Sequence, residues 1–275
     1  MFTHLHVRSW FSFLSGGSSP QTLVDRACAM GMTSLALTDV NGVYGTVRFQ
    51  KACRRAGLHP IIGSEVIVEG YPLVLLCKNQ AGYRNLCQLL TAIHLKNRDE
   101  PIADLESVAR HSDGLICLTG GRLGRLWQYL SRQHFADADT WVSTLRETFG
   151  NDLIVELCHG LWHNDVTIVT RAYAMAKARG LDVVATNDVY FATPEDYRRF
   201  DLLTCVRLGI TVFEPHAERP KNAESYLKSE TQLRKLIPYP EAFAKSVDIA
   251  NTCQLNLVPG YITPPAATLP KGAKA

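Results

Sequence analysis

Seven short segments of the chain are rich in apolar and β-branched residues and contain few polar positions. Runs of this kind are typical of strands that are buried on both faces of a sheet. They predict strands over residues 2–8, 33–40, 60–68, 72–79, 114–121, 152–158 and 181–188.

Amphipathic segments lie between most of these strands and predict helices. The first two end at Gly31 and Gly57, and glycine is a common residue just after a helix. The predicted helices cover residues 19–31, 44–57, 79–95, 104–111, 139–150 and 165–180. Strands that alternate with helices favour parallel pairing through right-handed crossovers. The pattern therefore predicts an α/β fold with a seven-stranded (β/α) barrel, and an open doubly wound sheet is the alternative.

The part of the chain after the seventh strand has a different pattern. Three helical segments follow without a further strand, over residues 193–209, 229–237 and 239–253. The last residues are rich in proline, alanine and lysine, which is typical of a linker or tail. We therefore expect one domain over residues 1–258 and a linker or tail over residues 259–275.

Composition excludes several classes of protein. The chain has 275 residues, of which 46% are hydrophobic, and its net charge of +3 is too small to indicate nucleic-acid binding by itself. No apolar run has the roughly 18 residues that a membrane helix needs, and the first residues do not resemble a secretory signal. The eight cysteines include no C-x-x-C pair, so we expect buried free thiols and a reducing, cytoplasmic location.

Polar residues at the predicted strand ends are the candidates for a functional site, because barrel enzymes carry their active sites at the carboxyl ends of the strands. The candidates are His4, His6, Arg8, Asp39, Glu65, Asn187 and Asp188. A histidine and two carboxylates from different strands could hold one divalent ion. Alternatively, the aspartates begin turns and Glu65 pairs with a neighbouring base. His159 and His163 have the spacing of a metal pair, but a surface loop is the simpler interpretation of residues 159–165.

The stretch from "HLHVRSWFSFLSGGSSP" to "LHPIIGSEV" strongly resembles the PHP (polymerase and histidinol phosphatase) domain of the bacterial C-family DNA polymerases, the DNA polymerase III alpha subunits. The resemblance continues through "LVLLCKNQAGYRNLCQLLT", "DVVATNDVYF" and "ESYLKSETQL", and covers roughly residues 2–255. "PKNAESYLKS" is more similar to the error-prone branch. The resemblance implies a distorted seven-stranded TIM-like barrel with extra C-terminal helices. In some members a metal cluster at the barrel mouth acts as a 3′–5′ proofreading exonuclease, whereas in others the domain is a scaffold for a separate proofreading subunit.

The resemblance assigns the metal ligands residue by residue. His6 matches the first histidine of the family's His-x-His motif, Glu65 matches the bridging glutamate and Asp188 matches the final aspartate. The other ligand positions carry residues that the family does not use as ligands: Arg8, Ser15, Val40, Pro72, Gly120 or Gly121, and Tyr190. The site is therefore expected to be degenerate, lined by His4, Arg8, Asp39, Asn187 and Tyr190.

Arg8 offers a physical explanation for the losses. Two carboxylates at a barrel mouth repel each other unless a cation lies between them. We expect the guanidinium of Arg8 to fork between Glu65 and Asp188 in place of a metal; the alternative is an Arg8 that points into solvent without a partner. We expect no cofactor or, at most, a single divalent Zn, Mn or Fe ion.

Two functions follow from the resemblance. In the first, the chain is the N-terminal PHP domain of a polymerase for DNA replication or repair, acting as a structural and docking scaffold. In the second, it is a residual one-metal phosphoesterase or exonuclease. The polymerase palm, the nucleotidyltransferase part of the family, is missing from these residues. Expected partners are the polymerase core, proofreading or replisome subunits, and DNA through the polymerase, but no membrane.

Overall fold

The fold is built on a curled sheet whose strands follow one another in chain order. The computed structural model describes residues 2–258, and this part of the chain contains a six-stranded sheet of order β1-β2-β3-β4-β5-β6. The strands are β1 Ser34–Leu37, β2 His59–Val68, β3 Tyr71–Cys77, β4 Leu115–Leu118, β5 Leu153–Cys158 and β6 Asp182–Thr186. The α/β class is therefore confirmed, with a curled half-barrel sheet. The predicted tail, residues 259–275, lies outside the described residues.

Strand β3 corrects the expectation of an all-parallel sheet. It pairs antiparallel with both β2 and β4, whereas the β1–β2, β4–β5 and β5–β6 pairs are parallel. Only Glu69 and Gly70 join β2 to β3, with φ angles of 48° and 85°. Positive φ at both central residues is typical of a tight hairpin turn. A connection of two residues is too short for the crossover that parallel strands require.

The predicted first strand, residues 2–8, is extended but forms no regular strand. Its one bridge joins Val7 to Val189. The segment nevertheless bonds on both sides: His4 and Val7 accept from the amides of Ala36 and Thr38 at 2.9 and 2.8 Å, and Arg8 donates to Val189 at 2.9 Å. It thus lies between β1 and the segment after β6.

The side chains of this segment explain why the regular ladder fails. Leu5 packs in the cluster inside the curl, whereas Val7 packs in the cluster outside it. In a regular strand, residues two apart lie on the same face. The change of face between Leu5 and Val7 interrupts the ladder, so the expected seven-stranded barrel is observed only as a six-stranded curl.

Helices lie around the sheet, most of them on its outer face. They are α1 Pro20–Ala29, α2 Thr46–Ala56, α3 Gln80–Lys96, α4 Leu105–Arg110, α5 Arg125–Ser131, α6 Phe135–Phe149, α7 Asp165–Ala178, α8 Tyr197–Leu208, α9 Glu230–Arg234 and α10 Pro240–Thr252. Side chains cap several of them; for example, the hydroxyl of Ser19 accepts from the amide of Thr22 at 3.0 Å. Among residues 2–258 there is no helix with the length and apolarity needed to cross a bilayer.

Two apolar clusters stabilise this arrangement. The outer cluster lies between the sheet and the helices. The inner cluster fills the curl and includes Ile249, Ala250 and Cys253 at the end of α10. All eight cysteines lie in the described chain and are free thiols, six of them buried.

The inner cluster generates a prediction about the irregular first segment. Leu5 is fully buried there, so Leu5→Ala should lower the free energy of unfolding by about 2–5 kcal/mol. Leu95→Ala is the matched control, because the side chain of Leu95 is 83% exposed and should change stability by less than about 0.5 kcal/mol. Urea unfolding followed by circular dichroism measures both. Equal effects would show that the first segment does not belong to the core.

Candidate functional site

His6 lies at the centre of a buried group of charged side chains. Its Nδ1 is 2.8 Å from Oε1 of Glu156, and its Nε2 is 2.9 Å from Oε2 of Glu65 and 3.5 Å from Oδ1 of Asp188. His6 comes from the irregular first segment, Glu65 from β2, Glu156 from β5 and Asp188 from the turn after β6. All four are less than 5% exposed.

Arg8 enters the same group and binds one carboxylate with two bonds. Its Nε donates to Oε2 of Glu65 and its Nη2 donates to Oε1 of Glu65, both at 2.7 Å. The guanidinium also lies over the ring of Tyr190, 4.4 Å from its centroid. The side chain is buried and paired, so the alternative of a free, solvent-facing Arg8 is wrong.

Asp188 is bound differently from the expectation. Arg8 was expected to fork between Glu65 and Asp188, but both of its short bonds go to Glu65. The hydroxyl of Tyr190 donates instead to Oδ2 of Asp188 at 2.8 Å. The ring of Tyr190 therefore contacts the cation on its face and the carboxylate through its hydroxyl.

The protonation of the site follows from these contacts. Burial alone would lower the pKa of His6, but the carboxylates of Glu156 and Asp188 outweigh it and raise that pKa well above its usual value. Burial alone would raise the pKa of Glu65, but Arg8 and then His6 outweigh it and lower the pKa to about 2. Both ring nitrogens of His6 face carboxylates, so both carry protons and the ring is a cation.

Two cations therefore face three carboxylates in this site. Oε2 of Glu156 and Oδ1 of Asp188 have no hydrogen-bond partner among the described residues. Buried carboxylate oxygens are costly without partners. The cluster thus keeps part of the negative potential that would suit an additional cation.

The three family ligands that remain lie close together, but other side chains already bind them. Ligand atoms of His6, Glu65 and Asp188 all lie within 4.8 Å of one another, close enough for a single ion. However, Arg8 occupies both oxygens of Glu65, and both nitrogens of His6 bind carboxylates. The arrangement does not fit a bound ion unless Arg8 moves away.

Gly121, one of the two glycines that match a ligand position of the family, lies beside the charged group. A Cβ built on it would lie 3.4 Å from both Nδ1 of His6 and Oε1 of Glu156. A larger side chain at this position would point at the cluster, but glycine has no ligand atom.

Two of the residues that were expected to line the site lie elsewhere. The Nε2 of His4 is 2.9 Å from the carbonyl oxygen of Lys228, and burial lowers the pKa of His4 to about 4. Asp39 accepts from the amide of Ser9 and the hydroxyl of Ser12, both at 2.7 Å, and thereby organises the loop after the first segment. Asn187 lines the cleft above the site, but its amide group donates to the carbonyls of Glu224 and Tyr226 at 2.8 and 2.7 Å.

Glu156 is a site residue that the sequence interpretation missed. Its Oε1 accepts from the hydroxyl of Thr186 at 2.6 Å and binds Nδ1 of His6, so it orients the imidazole. The available signal was a single carboxylate in the apolar run "LIVELC". A buried carboxylate of this kind requires a polar partner.

Residues 159–165 form a surface loop, as the sequence predicted, in which Leu161, His163 and Asn164 are exposed. Asp165 is 1% exposed and accepts from the amides of Gly160 and Trp162 at 2.8 and 3.0 Å. Its other oxygen accepts from Nη1 of Arg122 at 2.7 Å. His159 is buried and His163 is not part of this network, so the two histidines form no pair.

A cleft of about 330 Å³ lies above the charged group. Arg8, Asp188 and Tyr190 line it from below, and Arg122, Trp162 and Lys221 are among the residues that line it elsewhere. The guanidinium of Arg122 lies 3.9 Å from the ring centroid of Trp162. The cleft connects the charged group to the surface.

Comparison with known proteins identifies the family of the chain. The sequence model of the PHP domain matches residues 4–159, which include His6, Glu65 and Glu156. The chain belongs to the PHP domain family. The resemblance found in the sequence is therefore confirmed.

Curated relatives of this PHP domain are bacterial DNA polymerases. The chain is 36% identical over 272 residues to an error-prone DNA polymerase of Symbiobacterium thermophilum, covering 92% of this chain and 25% of that protein. It is 33% identical over 266 residues to the DNA polymerase III subunit alpha of Escherichia coli, covering 93% and 23%. The chain thus spans about a quarter of the length of these relatives.

A solved structure shows a similar fold. An amidohydrolase from Chromobacterium violaceum, with bound sulfate and no metal, has a TM-score of 0.52 and 18% sequence identity, covering 74% of this chain and 97% of that one.

The Arg8–Glu65 pair predicts a large effect on stability. Arg8→Ala leaves the buried carboxylates without their permanent cation, so the free energy of unfolding should fall by about 3–5 kcal/mol in chelator-treated buffer. Arg8→Lys keeps a charge but loses the fork and should cost less. Denaturant titration measures both variants. If Arg8→Ala is no more destabilising than Arg8→Lys, the site does not need a cation.

The lowered pKa of Glu65 predicts a pH dependence. The pKa is about 2 in the folded chain against a usual value of 4.5, so Glu65 contributes stability that is complete above pH 4.5 and is lost as the pH falls towards 2. The stability difference between the wild type and Glu65→Gln should therefore be constant from pH 7 to 5 and should shrink below pH 4.5. Denaturant titrations across this range test it. A difference that grows with acid would contradict the assignment.

Proposed function

We propose that this PHP domain is the N-terminal part of a bacterial C-family DNA polymerase for replication or repair synthesis, and that it acts as a scaffold without hydrolysing phosphodiesters. The similarity to DNA polymerase III subunit alpha and error-prone DNA polymerase over more than nine-tenths of this chain supports this context. The polymerase core is the proposed partner, with proofreading or replisome subunits docking beside it. DNA would be bound through the polymerase, in the cytoplasm. The N-terminal segment would act as the seventh strand of a distorted barrel.

The fork from Arg8 to Glu65 is the observation that carries the scaffold function. A hydrolytic PHP site needs metal ions to generate hydroxide and to neutralise charge on phosphate. Arg8 neutralises Glu65 but cannot deprotonate water, because its guanidinium stays protonated. Burial alone would lower the pKa of this guanidinium, but the carboxylate of Glu65 outweighs burial and raises the pKa above its usual value. His6, bonded at both nitrogens, has no free lone pair to act as a base.

A residual one-metal phosphoesterase or 3′–5′ exonuclease is the second candidate. The close approach of His6, Glu65 and Asp188 favours it, and so does Oδ1 of Asp188, which has no hydrogen-bond partner among the described residues. It requires Arg8 to leave Glu65 when an ion of Zn, Mn or Fe enters.

Metal content separates the two candidates. The wild type, purified without chelator and dialysed against Zn²⁺ or Mn²⁺, should retain well below one equivalent. Arg8→His removes the competing cation and adds a donor, so it should retain about one equivalent of Zn²⁺. Arg199→His is the control, because Arg199 is exposed and its ion-pair partner is Asp196.

An activity assay completes the test. We expect no metal-dependent release of nucleotides from a 3′ end by the wild type. The scaffold function is wrong if the wild type binds a full equivalent and degrades DNA in a way that Asp188→Asn abolishes.

A further inference from the structure

A long connection crosses the mouth of the fold above the charged group. We call residues 210–225 the strap: it begins after α8 and ends before Tyr226, which bridges to Phe191. The strap residues that line the cleft are Ala217, Glu218, Arg219, Pro220, Lys221, Asn222 and Ser225. The strap therefore forms one wall of the cleft that leads to Arg8 and Asp188.

Arg219 fastens the strap to helix α8. Its Nε and Nη2 donate to the two carboxylate oxygens of Asp201 at 2.9 and 2.6 Å. Its Nη1 donates to the carbonyls of Val212 and Glu214 at 3.0 and 2.8 Å. The guanidinium of Arg219 thus bonds to two carbonyls within the strap and also binds the strap to Asp201. Its two bonds to one carboxylate make a strong and directional contact.

A second set of contacts fastens the far side. The side-chain amide of Asn222 donates to the carbonyl of Gly160 at 2.8 Å, and the ammonium of Lys221 lies 4.9 Å from the ring centroid of Trp162. On the α8 side, the hydroxyl of Tyr197 donates to the carbonyl of Pro220 at 2.7 Å. The strap thus spans from α8 to the loop after β5.

These attachments are polar, and an apolar anchor is missing from the described strap. Every residue from 210 to 225 is half-buried or exposed, and Phe213 is 92% exposed. Leu227 and Lys228, immediately after the strap, are buried. Segments held by few buried apolar contacts open at a lower free energy than the core. The strap can therefore open while the sheet stays folded.

Cys158 lies where such an opening would be detected. It is the last residue of β5, is 1% exposed, and lines the same cleft as the strap. Cys117, in β4, is fully buried away from this cleft. The chain thus contains one thiol that reports opening of the cleft and one that reports unfolding of the sheet.

We propose that the strap is a lid, latched by the Arg219–Asp201 pair, that controls access from solvent to the cleft and to the Arg8–Glu65 group beneath it. In the closed position the two-bond latch and the Asn222–Gly160 bond hold it, together with the Tyr197–Pro220 bond and the Arg207–Glu218 ion pair. Breaking the latch frees the strap without disturbing the inner or outer cluster. The cleft is already partly open with the strap closed, and a local opening of the strap widens access to the charged group.

Native-state alkylation of the full chain with iodoacetamide, read by peptide mass spectrometry, tests the lid. In the wild type, Cys158 should react faster than Cys117. In Asp201→Asn, which removes the charged acceptor of the latch, the rate at Cys158 should rise about 10- to 100-fold while the rate at Cys117 stays unchanged. Asp182→Asn is the matched control, because it breaks the Lys245–Asp182 pair far from the strap and should change neither rate.

The outcomes are distinguishable. If Cys158 and Cys117 accelerate together, the chain opens globally and the strap is not a lid. An unchanged Cys158 rate in Asp201→Asn would also overturn the proposal. Should Asp201→Asn fail to fold, Asn222→Ala removes the second attachment and must produce the same selective increase at Cys158.

Discussion

The two-bond contact between Arg8 and Glu65 is the interaction on which the site depends. Three carboxylates converge at the end of a sheet, in a place that water scarcely reaches. Carboxylates in such a place need a positive charge close by. Arg8 supplies a permanent one and His6 supplies a second by holding both of its protons. The chemistry of the site follows, because the groups that would bind a metal already bind each other.

The fold brings these groups together through an irregularity at its start. If residues 2–8 formed a regular strand, side chains two apart would share a face. The change of face after Leu5 lets His6 reach Glu156 and Glu65 while Val7 packs outside. Arg8 then meets Glu65 from the mouth of the fold. The same segment completes the hydrogen bonding between β1 and the turn after β6. The fold and the charged site therefore depend on the same few residues. A domain that acts only as a scaffold would retain these residues for its fold, even without catalysis.

Much of this architecture could be predicted from the sequence, and the failures have physical causes. Apolar runs locate all six strands because double burial leaves a clear pattern. The antiparallel direction of β3 depends on a two-residue turn. The predicted strands 60–68 and 72–79 already left only three residues between them, too few for a crossover, but the alternation elsewhere in the chain favoured parallel pairing. His6, Glu65 and Asp188 were among the polar residues at the predicted strand ends, and the family motifs selected them from that set. Glu156 was missed, because a carboxylate within a strand has no fixed spacing to its partner.

The contacts within the site are decided by geometry in three dimensions. Arg8 binds Glu65, as predicted. At Asp188, however, the hydroxyl of Tyr190 donates the bond that was expected from Arg8. The position of His4 also depends on distant chain, since its partner is the carbonyl of Lys228. Spacing along a sequence cannot distinguish such partners.

We propose that the guanidinium of Arg8 occupies the place of a metal ion in this site. Anomalous diffraction from crystals grown with Mn²⁺, collected at the manganese edge, tests it most directly. We expect no anomalous peak between His6, Glu65 and Asp188, with Arg8 bound to both oxygens of Glu65. A full-occupancy peak at that position, with Arg8 turned away from Glu65, would contradict it.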